Sequence, residues 1–205
     1  MTRMSRPAAT LRHAADTNDG VRSPLTPARW IDAATELLVD KGIDAVRVDV
    51  LAKRLGVTRG SFYWHFRDRE DLLQHLLRSW RDGATEQVIR RFEGTRTEPQ
   101  ELIRELIALP FRGQAARRAA GIELAIRAWA RRDDTARRAL DEVDERRISY
   151  IAQCFSAVGF PFGQARARAF ILYAYEVAES LLHQQGTEAQ KAERRALIER
   201  LITGP

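Results

Sequence analysis

The chain of 205 residues contains one cysteine, Cys154, and two methionines. A single thiol leaves no disulfide framework and no paired-cysteine motif for a zinc ion or a redox couple, as expected of a protein from a reducing cytoplasm. No apolar run approaches the roughly 18 residues that a membrane span requires. The most apolar stretch, "AFILYAYEVA", is interrupted by Glu176 and Glu179, so no membrane partner is expected. The first residues carry arginines but no apolar core, which argues against a secretory signal. There is no phosphate-cradling glycine loop, no paired-histidine zinc helix and no nucleophile constellation. The expectations are therefore no enzyme activity, no cofactor and no metal.

What the chain has in quantity is arginine, which supplies 31 of its 34 basic residues against 28 acidic ones. The excess is spread evenly: residues 1–70 hold 12 basic and 9 acidic side chains, and the remainder 22 and 19. An even distribution carries little information about a nucleic-acid footprint. The 44% hydrophobic content is that of a globular chain with a proper core.

The hydrophobic periodicity is helical nearly throughout. Residues 1–24 lack it and read as a flexible arm. In "LTPARWIDAATELLVDKG", Thr26 offers a cap, Pro27 suits the first helical position and Gly42 can close the helix. Short helices over residues 26–66 give way to a long one, expected to begin at Asp68 and run through Trp80 towards Phe92. Further helices follow "TEPQ", "AARRAA", the cap at Asp133 or Asp134, and the turn "GFPFG". Thr187 with Gln190 forms a capping box for the last. The predicted fold class is all-α, with nine or ten helices. An N-terminal three-helix helix-turn-helix domain at residues 25–72 precedes a larger helical ligand-binding and dimerisation bundle at 73–205.

The most informative stretch is "VDVLAKRLGVTRGSFYWHF". Val48, Leu51, Ala52 and Leu55 give one helix an apolar face, Gly56 permits a turn, and Val57 plugs the corner. On a helical wheel Phe62 and Phe66 point to the core, with Thr58 and His65 near that side. Gly60, Ser61, Tyr63 and Trp64 point outward. Tyr63 and Trp64 are amphipathic rings able to donate to phosphate oxygens, Gly60 lets the backbone approach DNA, and Arg59 suits a bidentate contact to guanine.

Residues 27–73 closely resemble the DNA-binding domain of TetR-family transcriptional regulators, with Gly56-Val57-Thr58, Gly60, Phe62-Tyr63, Phe66, Glu70 and Leu72 at the family's spacings. The resemblance implies a homodimeric regulator, usually a repressor, reading a pseudopalindromic double-stranded DNA operator and released by a small-molecule effector. It implies backbone contacts from Tyr63 and His65, and a phosphate contact from Arg69 where the family commonly has lysine. Arg47 stands where threonine or serine usually caps the second helix, and a phosphate contact from Arg47 would compensate for that loss. The DNA-binding set is thus Arg47, Thr58, Arg59, Gly60, Ser61, Tyr63, Trp64, His65 and Arg69.

For the bundle, Leu140, Val143, Tyr150 and Cys154 form one apolar stripe, and Ile148, Ile151, Phe155 and Val158 another. Alanines at 165, 167, 169, 174 and 178 permit close helix approach. The expected dimer interface comprises Leu140, Val143, Tyr150, Cys154, Ala174, Ala178 and Leu181. The effector pocket that the resemblance implies would be lined by Trp80, Phe92, Phe111, Ile122, Ile126, Trp129 and Tyr173. Glu123 and Arg127 read as a structural ion pair, and neither His183 nor Glu176 as catalytic or metal-binding. The competing reading is a helical ligand carrier or protein-interaction module without specific DNA binding.

Overall fold

Pro27 opens the first helix, α1 (Pro27–Lys41), and Gly42 closes it at φ 79°, a conformation that glycine adopts without the Cβ penalty. Thr26 precedes Pro27, but its side chain makes no capping bond; its carbonyl instead accepts from Arg29 at 3.1 Å. The computed structural model describes residues 25–94 and 97–204, so the arm expected over 1–24 lies outside the described residues. A 3-10 turn (Ile43–Ala45) leads from α1 to α2 (Val48–Leu55). Gly56, left-handed at φ 69°, ends α2, and Val57 N–H returns to the Ala52 carbonyl at 3.0 Å. That return bond turns the chain into α3 (Arg59–Tyr63).

The fourth helix, α4 (Arg69–Arg81), starts at Asp68, whose carboxylate accepts from Asp71 N–H. It does not run unbroken to Phe92 as expected. A π-helical turn (Asp82–Glu86) separates α4 from α5 (Gln87–Glu93). Gly83 weakens the α-helix there, and the widened turn presents two acceptors to one guanidinium. Arg147 Nε donates to Thr85 Oγ1 at 3.0 Å, and Nη2 to the Ala84 carbonyl at 3.3 Å. A π turn of this kind forms where a side chain inserts into the hydrogen-bond ladder.

The rest is helical: α6 (Pro99–Ile107), a 3-10 turn (Leu109–Phe111), α7 (Gly113–Ala130), α8 (Asp134–Val158), α9 (Phe162–Leu181) and α10 (Glu188–Thr203). Asp133 caps α8 and Gly159 ends it at φ 114°. The Thr187–Gln190 capping box opens α10 with both of its bonds made. Among the described residues no helix is long and apolar enough to cross a membrane. Ten α-helices without a strand make the described chain all-α, with the helix-turn-helix first and the bundle after it.

Two apolar cores run through the molecule. One joins α1–α4 to Ile126, Trp129, Val143 and their neighbours on α7 and α8. The other fills the space between α5, α6, α9, α10 and the C-terminal half of α8. The small N-terminal module therefore shares its core with the bundle, and α4 runs across the expected 72/73 boundary. Movement in α7 or α8 bears directly on the helices that hold α3.

Candidate nucleic-acid interface and effector cavity

Phe62 fixes the orientation of α3. It is fully buried, with ring centroids 5.3 Å from Trp30, Tyr63 and Phe66. The Trp30 and Tyr63 rings meet it edge-on, at 77° and 89°, the arrangement that ring quadrupoles favour. Trp30, on α1, was not among the expected anchors, although its spacing from Ala33, Ala34 and Leu37 places it on the same face. With Phe62 and Phe66 turned inward, the opposite face of this short helix is presented to solvent. Tyr63 is 56% exposed and Trp64 87%. Thr58, Arg59 and Gly60 are exposed beside them, and a methyl group at Gly60 would meet only Thr58 Oγ1, at 3.7 Å. Ser61 and His65 are half-buried, His65 with its ring against Phe66.

Two arginines of the expected set are otherwise engaged. Arg69 Nε and Nη2 donate to the carbonyls of Val46 and Ile43 at 2.6 and 2.8 Å. Its guanidinium thus holds the start of α4 against the turn before α2. The fork that suits phosphate suits two adjacent carbonyls equally well, and here it faces inward. Arg47 stands at the N-cap of α2 without a capping bond and makes two bonds to Asp49, at 3.1 and 2.9 Å. That pair is exposed and therefore weak, so Arg47 remains the freer of the two. Arg69→Lys is expected to lower unfolding free energy by about 1–2 kcal/mol, because lysine cannot span both carbonyls. The salt dependence of DNA binding should hardly change; a salt slope smaller by about one would instead mark Arg69 as a phosphate contact.

The bundle holds a partly open cavity of about 340 Å³. The π turn and α5 contribute Ala84, Thr85, Ile89 and Phe92, and α7 contributes Ala115, Ala116, Ala119, Ala120 and Glu123. Arg147, Tyr150, Tyr173, Glu176 and Ser180 complete its polar side. Of the seven expected pocket residues, Phe92 and Tyr173 line it. Trp80, Ile126 and Trp129 are buried in the core shared with the N-terminal module, with Ile122 packed against that core. Phe111 lies under the Arg195 guanidinium, 5.2 Å being the equivalent distance for Arg91 over Phe92 and 5.4 Å for this pair. The cavity exists because α7 presents alanines, and its large side chains fill space elsewhere.

A charged cluster closes one wall. Glu123 accepts from Arg127 at 2.8 Å and from Arg147 at 2.7 Å. Asp144 accepts two bonds from Arg127, at 3.0 and 2.7 Å, and one from the Tyr173 hydroxyl at 2.6 Å. Burial alone would raise the Glu123 pKa, but the guanidiniums of Arg147 and Arg127 outweigh it and hold the carboxyl below its ordinary range. Burial also raises the Tyr173 hydroxyl, the Arg147 charge pulling the other way. Glu176 behaves differently. Its Oε1 is buried without a hydrogen-bond partner among the described residues, and burial pushes its carboxyl up to about 8. Sequence reasoning set this residue aside, since nothing local distinguishes it from a solvated helix glutamate.

The expected dimer residues divide in two. Leu140, Val143, Tyr150 and Cys154 are buried within the single chain, so they cannot form a subunit surface. Both apolar stripes of α8 are covered by α6, α7 and α9 of the same chain. Burial likewise pushes the Cys154 thiol up to about 11, an unreactive state for a cysteine. Ala174, Ala178 and Leu181 lie on the exposed side of α9, together with Phe170 and Ile171, 62% and 48% exposed. Phe170 and Ile171 extend this exposed apolar face, whereas Ala165 and Ala169 pack inside.

The fold defines an all-α protein of the helix-turn-helix class, with a larger helical bundle behind the N-terminal module. Residues 31–76 match the model of bacterial regulatory proteins of the tetR family. It is 44% identical over 54 residues to the transcriptional regulator SrpR of Pseudomonas putida, covering 26% of this chain and 25% of that protein. It is also 44% identical over 52 residues to the class A tetracycline repressor of Escherichia coli, covering 25% and 24%. The chain thus spans about a quarter of the length of these curated relatives. The whole fold resembles a transcriptional regulator from Saccharomonospora viridis solved in complex with choline, with TM-score 0.70, 19% identity, and 87% and 95% of the two chains covered.

Proposed function

We propose that the chain is a ligand-responsive transcriptional regulator, a repressor, which binds a pseudopalindromic operator as a homodimer and is released by a small molecule in its bundle. The observation that carries this reading is the outward face of α3, where Arg59, Gly60, Tyr63 and Trp64 stand exposed on a helix locked from behind by Phe62. Large aromatic rings left in water beside a backbone gap suit a groove and its phosphates. The tetracycline repressor relationship supports repression, and the choline complex of a similarly folded regulator supports a small-molecule site inside the bundle. Arg59→Ala should cost about 1–3 kcal/mol of operator affinity per head and relax specificity at one base pair. Operators selected from random duplexes, followed by titration of the variant, measure this; unchanged specific affinity would defeat the reading.

The apolar face of α9 supplies the surface for a second copy, continuing along Phe170, Ile171, Ala174, Ala178 and Leu181. A two-fold pairing through this face would set two α3 helices about 34–36 Å apart or a multiple of it, matching a palindrome. Phe170→Asp places a charge in that interface and is expected to yield monomers in sedimentation velocity, with an unaltered helical spectrum. A variant that stays dimeric would move the interface elsewhere.

Coupling runs through Arg147, which lines the cavity and also holds the π turn at the end of α4. A ligand that draws on Arg147 or Glu123 changes the support of the helix carrying the reading module. Release then follows as a shift between DNA-competent and incompetent conformers.

A further inference from the structure

The balance of charges along the cavity wall points to the chemistry of its ligand. Glu123 and Arg147 line the cavity, and Arg127 and Asp144 stand behind them; in this cluster of two guanidiniums and two carboxylates each carboxylate oxygen already accepts from an arginine. Arg147 gives four of its five donors to Glu123, Tyr173, Thr85 and the Ala84 carbonyl. An anionic ligand would find little cationic donor capacity on that wall. Arg112 lines the cavity as well, but it is exposed and pairs with Glu105 at 3.2 Å. Arg91 is exposed with its guanidinium over the Phe92 ring. The carboxyl in excess is Glu176. It lines the cavity with Oε1 unpartnered among the described residues, and the charged groups acting on it are Arg147 and Glu123. A buried acceptor without a partner is costly, and a ligand bearing a donor relieves that cost.

We propose that the cavity takes an organic cation: an ammonium group seated against the Glu176 carboxyl, with an apolar body among the alanines of α7 and the Ile89, Phe92 and Tyr150 side chains. This rests on the reading of the cavity as the effector site. The volume, about 340 Å³, suits a compound of modest size. Because the free Glu176 carboxyl is held protonated near neutral pH, seating an ammonium ion there drives out its proton. Binding is then accompanied by release of close to one proton, and it strengthens as pH rises towards 8.

The test is calorimetric titration of the full chain with three probes of one shape: phenylbutylamine, phenylbutanol and phenylbutyrate. The amine is expected to bind about ten-fold or more tightly than the alcohol, since a hydrogen bond to a charged group exceeds a neutral one by that order. Buffers of different ionisation enthalpy should report the released proton. In Glu176→Gln, which keeps the side chain's shape, the amine's advantage and the proton release should both vanish while alcohol binding stays. Ala120→Phe, which fills the cavity from α7 without touching Glu176, should abolish binding of all three, and unfolding curves check that both variants fold. Alcohol binding without an advantage for the amine would overturn the cation assignment and leave the cavity as a ligand site. Tighter binding of the carboxylate, amine binding that survives Ala120→Phe, or no binding of any probe would overturn it too. Operator binding, measured separately, decides the regulator reading whichever result is obtained.

Discussion

Phe62→Ala is expected to lower the unfolding free energy by about 4 kcal/mol. The ring is fully buried and touches three other rings, so its removal forfeits both apolar burial and the edge-on contacts. Relaxation cannot recover much, because α3 is only five residues long and its own backbone bonds do not hold it against α1. Phe62→Leu should cost much less, about 1–1.5 kcal/mol, since the volume is nearly kept. Denaturant unfolding of the full chain measures both. DNA binding should fall further in the alanine variant than stability alone implies, because α3 loses its orientation. A loss below about 1 kcal/mol would mean that Trp30 and Phe66 close the gap unaided.

Arg147→Met is the second large effect, at about 3 kcal/mol. Methionine keeps the apolar stem but strips Thr85, the Ala84 carbonyl, the Tyr173 hydroxyl and one oxygen of Glu123 of a donor. Glu123 retains Arg127, which is why the loss falls at the lower end for a broken buried pair. Adding Glu123→Gln should recover part of it, because the under-compensated charge is then gone; a double-mutant cycle gives the coupling. The pH dependence has a definite sign. A carboxyl held below its ordinary range in the folded chain contributes stability above its unfolded pKa, and that contribution is lost as pH falls through the lower folded value. In Arg147→Met the acid-side loss of stability should shrink. An unchanged acid limb would show that Arg127 alone holds the Glu123 charge.

The N-terminal helix-turn-helix was legible because its signals are local. Gly56, Val57, Phe62 and Phe66 lie within eleven positions, and each has its role through neighbours a turn or two away. The π turn was not legible, since it depends on Arg147, which is 62 positions from Thr85. The cavity was missed for a related reason. A search for lining residues by their aromatic character finds what fills space, whereas the cavity is set by where α7 has only methyl groups. Sequence periodicity could say that both stripes of α8 need cover, but not that other helices of the same chain provide it. Arg69 was legible as a charge and not as a donor to Val46 and Ile43, because carbonyls left over at a 3-10 turn leave no mark in the residue pattern.

The four tryptophans turn the architecture into a spectroscopic instrument. Trp30, Trp80 and Trp129 are buried in one core and Trp64 alone is in water, so the intrinsic emission divides into a blue component from the interior and a red one from the tip of the head. None of the four lines the cavity. The red side of the emission therefore comes mainly from a single ring at the proposed DNA surface, and stacking or exclusion of water there would change it without any label. Cavity occupants would reach the emission only through motion of the protein itself. A ligand that alters Trp64 in the absence of DNA would thus be signalling through the helices, over a route that the intensity of one side chain makes visible.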